Sequence, residues 1–107
     1  MQASQARQEG AGEVTPPLLA SCVGRPCPYC SEPMTAHGQH RPTRDHIKPK
    51  ARGYTLAGNA AIVCLRCNSD KANRSPEGWL VSLLRRGDPR AVTFAAFILA
   101  HRAAVYE

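Results

Sequence analysis

The chain has 107 residues, 43% of them hydrophobic and 21% charged, which is material for one compact domain with terminal segments and not for two domains. The longest apolar run, residues 94–100, is far shorter than the roughly 20 residues of a membrane-spanning helix. The N-terminal stretch also lacks the basic start and apolar segment of a secretory signal. We therefore expect no membrane partner and a reducing, cytoplasmic setting.

The net charge of +6 and the pI near 9.4 favour an anionic partner. Residues 41–74 contain eight Lys or Arg and two Asp, so 8 − 2 = +6, and this stretch carries the whole net charge. A solvated basic surface would explain this concentration, but contact with phosphate groups explains it better. Binding of that kind is strongly salt-dependent.

The first half of the chain is predicted to contain little regular structure. Residues 1–21 mix Gln, Gly and Ser around a proline pair and predict a flexible tail, with structure beginning near Cys22. Residues 25–30 form a tight turn stiffened by Pro26 and Pro28, and a polar loop follows. Residues 43–48 predict a short strand that Pro49 ends, and residues 49–59 predict a loop.

The second half predicts a strand and three helices. Residues 60–63 are apolar enough for a strand, and a helix is expected from about residues 64–68 to residue 73. Ser75, Pro76 and Glu77 are typical of a helix start, and that helix should stop at Gly87. The last helix, about residues 89–105, places Val92, Ala96, Leu99 and Ala103 at helical spacing. Six larger side chains are assigned to packing: Trp79, Leu80, Leu83, Phe94, Phe97 and Ile98.

Four of the five cysteines form two pairs with identical spacing, Cys27-x2-Cys30 and Cys64-x2-Cys67. Two such knuckles supply the four thiolates of a tetrahedral Zn²⁺ site with no open position, which predicts a structural zinc. The zinc would compensate for a core that is thin before residue 62. A redox-active pair or two local disulfides are the alternatives, and Cys22 is expected to be a free thiol. His37 and His40 are treated as ordinary loop histidines.

The residues between and after the knuckles carry a known motif. The sequence contains Arg44-Asp45-His46-Ile47-Lys48-Pro49, then Asn59, then Cys64-Leu65-Arg66-Cys67-Asn68-Ser69-Asp70-Lys71. In this order they resemble the HNH endonucleases, a family of ββα-metal nucleases, in the branch braced by two Cys-x-x-Cys knuckles. The resemblance covers residues 27–74. It implies an α+β fold, with a domain over residues 22–107 and additional helices at about residues 76–105.

The resemblance also implies roles for individual residues. His46 would be the general base, and Asp45 and Asn68 would bind a catalytic Mg²⁺, Mn²⁺ or other divalent ion. Asn59 would hold the loop and so orient His46, and Lys71, one helical turn after Asn68, would contact the phosphate or stabilise the transition state. Strand alternation places Asp45 and His46 on opposite faces in the ideal case, so the sequence leaves their geometry open.

The expected substrate is DNA, in double-stranded form, cut to leave 3′-hydroxyl and 5′-phosphate ends. The predicted DNA contacts are basic: Arg44, Lys48, Lys50, Arg52, Arg66 and Arg74. Because Asn replaces His as the third motif residue and the loop is short, metal preference and target sequence stay open, as does the oligomeric state. The resemblance further suggests a bacterial, phage-encoded setting with packaging or recombination partners. A zinc-ribbon-like module that binds nucleic acid without cutting is the alternative function.

Overall fold

A computed structural model describes residues 14–49, 58–102 and 105. In chain order the elements are α1 (Pro16–Ser21), β1 (Pro42–His46), β2 (Ala60–Cys64), α2 (Leu65–Lys71), α3 (Pro76–Arg85) and α4 (Arg90–Ala100). Strands β1 and β2 form a two-stranded antiparallel sheet, and α2 follows β2 directly. The predicted α+β class with a ββα unit and additional C-terminal helices is confirmed. Within the described ranges, every helix is too short or too polar to cross a bilayer.

The β1–β2 hairpin fixes the positions of the motif residues. Asp45 lies opposite Ala61, and His46 lies opposite Ala60 at the end of the paired region. The strand was predicted to continue to Lys48 but ends at His46. Beyond His46, the backbone N–H of Lys48 donates to a side chain instead of to the opposite strand, because Asn59 Oδ1 accepts it at 2.8 Å.

Helix α1 lies within the segment that was predicted to be a tail. Its first residue, Pro16, has no N–H to leave unpaired, and the Thr15 side chain accepts a hydrogen bond from Leu18 N at 3.3 Å. These are the usual start signals of a helix. The prediction is therefore wrong for residues 16–21, whereas residues 1–13 lie outside the described part of the chain.

The C-terminal helices form an antiparallel hairpin joined by a short turn. Ser75 caps α3 through a hydrogen bond from Gly78 N at 3.0 Å, and Gly87 has a positive φ of 66° just after the helix end, as predicted. Helix α4 ends at Ala100 with His101 as its C-cap, and residues 102 and 105 are again helical, so a turn at His101 interrupts the helix predicted for about residues 89–105. The His101 ring stacks on that of Phe97 at 4.2 Å, and its Nδ1 lies 3.0 Å from Phe97 O.

The core is an aromatic cluster between the first knuckle and the C-terminal hairpin. The Tyr29 ring lies 5.5 Å from that of Trp79, 4.8 Å from that of Phe94 and 5.0 Å from that of Phe97. Burial of the following predicted core residues is confirmed: Trp79, Leu83, Phe94, Phe97 and Ile98. Tilted and edge-on ring pairs of this kind contribute roughly 0.5–1.5 kcal/mol each beyond their buried area.

Helix α4 carries a second apolar stripe that faces solvent. The expected helical spacing is present, but Val92 is 79% exposed and Leu99 is 68% exposed. The buried face is instead formed by Arg90, Ala91, Phe94, Phe97 and Ile98. The helix is therefore apolar on two sides, and the domain covers only one of them.

Candidate metal centre and active site

The two knuckles bring the four cysteines of the predicted zinc site together. Their Sγ atoms all lie within 4.8 Å of one another, and Cys30 Sγ is 3.9 Å from Cys64 Sγ. A tetrahedral zinc with Zn–S bonds of about 2.3 Å has sulfur–sulfur distances of roughly 3.8 Å. Cys27, Cys64 and Cys67 are buried and Cys30 is half-buried, and all are free thiols. The chain thus has a four-cysteine metal site, which ties the first knuckle to β2 and α2.

The surroundings of the cluster favour a thiolate at Cys27, whereas burial raises the pKa of Cys30 to about 11. The backbone N–H groups of Tyr29 and Cys64 donate to Cys27 Sγ at 3.4 and 3.3 Å, and Arg90 Nη1 donates to Cys67 Sγ at 3.6 Å. A hydrogen bond with the Cys67 side chain is the largest cause that lowers the pKa of Cys27 to about 5. The same hydrogen bond, together with burial, raises the pKa of Cys67. A metal that binds here displaces the remaining protons, so its affinity rises with pH.

The side chain of Asp45 points into the domain and is held by two partners. The Tyr29 hydroxyl donates to Asp45 Oδ2 at 2.6 Å, and Lys71 Nζ lies 3.1 Å from the same oxygen. Asp45 is 4% exposed, and burial is the largest cause that raises its pKa, opposed by the charge of Lys71. Burial lowers the pKa of Lys71, opposed by Asp45. Each ion is therefore tolerated in the interior because the other is beside it.

Lys71 also connects α2 to the backbone of β1. Its side chain has no exposed surface, and its Nζ donates to the carbonyl oxygen of His46 at 2.9 Å. The structure therefore places Lys71 inside the domain, and its role in contacting the phosphate or stabilising the transition state stays a prediction. Lys71 is buried here because Asp45 would otherwise place an unpaired negative charge in the core.

Asn68 lies one helical turn before Lys71 and also contacts β1. Its Nδ2 donates to Thr43 Oγ1 at 3.0 Å and to the carbonyl oxygen of Arg44 at 2.9 Å. Both bonds use the amide nitrogen, just as both contacts of Asp45 use Oδ2. Across the part of the chain that the structure describes, neither Asp45 Oδ1 nor Asn68 Oδ1 takes part in a hydrogen bond.

Asn59 closes the base of the segment that follows His46. It is buried, its Oδ1 accepts from Lys48 N at 2.8 Å, and its Nδ2 donates to Lys48 O at 3.0 Å. The backbone oxygen of Asn59 accepts from Ile47 N at 2.8 Å. His46 itself is half-buried. These bonds join the chain on either side of residues 49–58 directly beside His46.

The predicted DNA contacts divide into three groups. Arg44, Arg66 and Arg74 are exposed, and Lys48 is half-buried. Arg74 donates to the carbonyl oxygen of Asp70 at 2.7 Å, which keeps its guanidinium near the end of α2. Lys50 and Arg52 lie outside the described residues.

Two residues at the site were not singled out in the sequence. Tyr29 lies inside the first knuckle, and its position between Cys27 and Cys30 is the only sequence feature that associates it with the metal centre. Arg90 contacts Cys67 of the four-cysteine site, pairs with Asp70 at 2.8 Å and lies 5.5 Å over the Trp79 ring. Only its contact with Asp88, two residues earlier, is local; Cys67, Asp70 and Trp79 come from other parts of the chain, so no local pattern marks Arg90 as part of the metal centre.

Comparison with protein families gives one match. The model of the family described as HNH endonuclease matches residues 27–74, which is a little less than half of the chain. No curated protein and no solved structure matches. The matched segment starts at the first knuckle, contains all four clustered cysteines, and includes β1, β2 and α2. Residues 27–74 of this chain, which hold the four-cysteine site and the ββα unit, thus match the HNH endonuclease family model.

Proposed function

We propose that this chain is a metal-dependent DNA endonuclease that hydrolyses phosphodiester bonds and leaves 3′-hydroxyl and 5′-phosphate ends. One observation carries the proposal. Asp45 on β1 and Asn68 on α2 each use one atom to hold strand and helix together, while the Oδ1 oxygen of each is left outside any hydrogen bond among the described residues. Asp45 directly precedes His46, the proposed base, on β1, and Asn68 lies on the helix that is hydrogen-bonded to that strand.

The donor atoms suit a hard divalent cation. Carboxylate and amide oxygens are ligands that Mg²⁺ and Mn²⁺ accept, so Asp45 and Asn68 would hold such an ion. When bound, the ion supplies positive charge to the phosphoryl and leaving oxygens. The four thiolates of the knuckles are soft ligands that select Zn²⁺, so the two metals would not compete for the same site.

The remaining residues prepare the proton transfer. A neutral His46 imidazole accepts a proton from the attacking water near pH 7. Asn59 holds the backbone immediately after His46, and Lys71 holds the His46 carbonyl oxygen. We therefore assign Lys71 and Tyr29 as positioning residues, which act through Asp45 and His46 and do not touch the substrate.

The exposed cations provide the surface for the DNA backbone. Arg44 lies on β1 beside Asp45, Arg66 lies on α2 with Asn68, and Arg74 lies just after α2. Phosphate contacts of this kind give affinity that falls steeply with salt and carries no base specificity. We accordingly propose double-stranded DNA as the substrate, in a cytoplasmic setting. Phage packaging or recombination partners stay a prediction of the family resemblance.

A plasmid assay tests the proposal. Zinc-loaded protein with Mg²⁺ or Mn²⁺ should convert supercoiled plasmid to nicked or linear DNA, and His46→Ala should lower the rate by at least about 100-fold, as expected for loss of a general base. His37→Ala is the matched control, because His37 is an exposed loop histidine and should cut at the rate of the unmodified chain. No cutting with either metal, or equal cutting by His46→Ala, would exclude the proposal.

A DNA-binding module without nuclease activity is the second candidate. The four-cysteine site and the exposed Arg44, Arg66 and Arg74 would serve such a module equally well. It predicts salt-sensitive DNA binding without cleavage and no effect of His46→Ala. It gives no reason for the arrangement of Asp45, Asn59 and Asn68 around β1.

A further inference from the structure

The hairpin of α3 and α4 exposes an apolar surface on the side away from the aromatic core. Four large apolar side chains of these helices are exposed: Val81, Leu84, Val92 and Leu99, with exposed fractions of 44%, 61%, 79% and 68%; Val92 lies two helical turns before Leu99 on α4. We call these four residues the outer face. Between the two helices lies a groove of about 370 Å³, lined by Leu80, Ala95 and Ile98 as well as by outer-face residues. Contiguous exposed apolar surface of this kind marks an interaction site.

The charges beside the outer face are arranged symmetrically. Glu77 lies four residues before Val81 and Arg85 lies four residues after it, so both lie close to Val81 on one side of α3. Both are exposed, and neither forms an ion pair with any of the described residues. If two copies of α3 pack antiparallel about a two-fold axis at Val81, Glu77 of each copy meets Arg85 of the other.

We propose that the outer face binds the outer face of a second copy of this chain, forming a two-fold dimer. The two helical hairpins would make a four-helix arrangement whose interior consists of the two apolar stripes. Each stripe would then be covered on both copies at once, as a self-complementary interface requires.

Residues 1–13 and Val105 are poor candidates to cover this surface. Residues 1–13 contain one large apolar side chain, Met1, against two Glu and one Arg, and cannot replace solvent over four large apolar residues. Beyond α4, Val105 is already 4% exposed and belongs to the domain core. The charges also favour a second copy, since Glu77 and Arg85 complement themselves under two-fold symmetry.

Sedimentation equilibrium of the zinc-loaded full chain, from low to high micromolar concentration, tests the dimer. The unmodified chain should show a concentration-dependent monomer–dimer equilibrium, and Leu84→Glu should be monomeric throughout. Val23→Glu is the matched control, because Val23 is 42% exposed and lies far from α3 and α4 in the chain, and this variant should dimerise like the unmodified chain. A monomeric unmodified chain, or equal dimerisation of both Glu variants, would overturn the proposal.

A charge-reversal cycle identifies the partner as a second copy. Glu77→Arg or Arg85→Glu alone should weaken the dimer about tenfold, because each creates like-charge pairs at the two-fold interface. The double variant should regain the original dissociation constant. If the double variant is weaker than either single variant, the two residues do not meet and the two-fold packing is wrong. These measurements report mass and not cleavage, so the proposed nuclease activity is tested separately.

Discussion

Three side chains around β1 form one buried unit. Asp45 accepts from the Tyr29 hydroxyl at 2.6 Å and pairs with Lys71 at 3.1 Å, and Lys71 also holds the His46 carbonyl oxygen. Both ions of the pair are almost fully buried, at 0% and 4% exposed. Burying two charges costs several kcal/mol, which their attraction recovers only while both partners are present. The ion pair therefore contributes little to the free energy of unfolding, and its main effect is to fix the position of β1.

Lys71→Met should destabilise the chain by about 3–5 kcal/mol, because it leaves Asp45 charged, buried and without a cation. Urea unfolding of the zinc-loaded protein measures this change. Arg74→Met is the control, because it removes an exposed cation from just after α2 and should cost less than about 1 kcal/mol. A Lys71→Met variant that cuts DNA poorly but unfolds like the unmodified chain would instead indicate that Lys71 contacts the phosphate directly, the role that the family resemblance implies.

At this scale the sequence identified the residue types but not their environment. Asp45, Asn59 and Asn68 could be singled out because the order of polar residues between the knuckles is distinctive. The burial of Lys71 and the hydroxyl contact of Tyr29 could not, since both arise when the first knuckle, β1 and α2 pack together. Lysine side chains are mostly exposed, so a lysine on a short polar helix is expected at the surface until the packing of that helix is known.

At the scale of elements, the start of α4 depends on an acidic residue just before it. Asp88 Oδ1 accepts from Arg90 N at 2.9 Å, and Asp88 Oδ2 lies 2.7 Å from Arg90 Nη2. The hydrogen bond with the Arg90 side chain is the largest cause that lowers the pKa of Asp88 from 3.8 to about 2. Because the folded-state pKa lies below the unfolded one, ionised Asp88 stabilises the fold fully above pH 3.8, and this stability is lost as the pH falls towards 2.

Asp88→Asn should therefore lower the free energy of unfolding by about 1–2 kcal/mol, and by the same amount at every pH between about 5.5 and about 8. Urea titrations at three pH values within this range check the prediction. Glu32→Gln, which neutralises an exposed carboxylate, should change stability little at any of them. A cost of Asp88→Asn that varies across this range would show that another titrating group is coupled to Asp88.

The helix and strand boundaries were predictable where the local chemistry is decisive. Ser75, Pro76 and Gly87 mark the ends of α3 through capping and a positive φ, and both features are properties of a few adjacent residues. Thr15 and Pro16 are start signals of the same kind for α1, but the composition of residues 1–21 as a whole is typical of a flexible tail. The turn at His101 carries no such local signal, because neither Gly nor Pro stands at the end of α4.

For the whole molecule, the four-cysteine site joins regions that are far apart in sequence. Cys27 and Cys67 are 40 residues apart, and their sulfurs lie in one cluster. In small zinc domains the free energy of metal binding, about 10 kcal/mol or more, is in effect folding free energy. The fold should therefore depend on the metal.

Removal of zinc with a chelator should abolish the cooperative thermal unfolding transition, and re-addition should restore it. Circular dichroism melts, together with metal analysis that finds one zinc per chain, provide the measurement. Cys27→Ser should behave like the chelated protein. Cys22→Ser is the matched control, since Cys22 is a free thiol outside the cluster and its variant should melt normally. A chelated protein with an unchanged melting temperature would exclude a structural zinc.

The position of Tyr29 bears on where this domain can be divided. Its ring packs against Trp79, Phe94 and Phe97, all beyond residue 74. Its hydroxyl donates to Asp45, which lies within residues 27–74, the segment that matches the family model. The segment that matches the family model, residues 27–74, is thus shorter than the segment that supplies the core, which includes Trp79, Phe94 and Phe97. A nuclease module transplanted with only its motif would expose Tyr29 and lose the packing that holds the first knuckle, so any functional graft of this domain has to include the C-terminal hairpin.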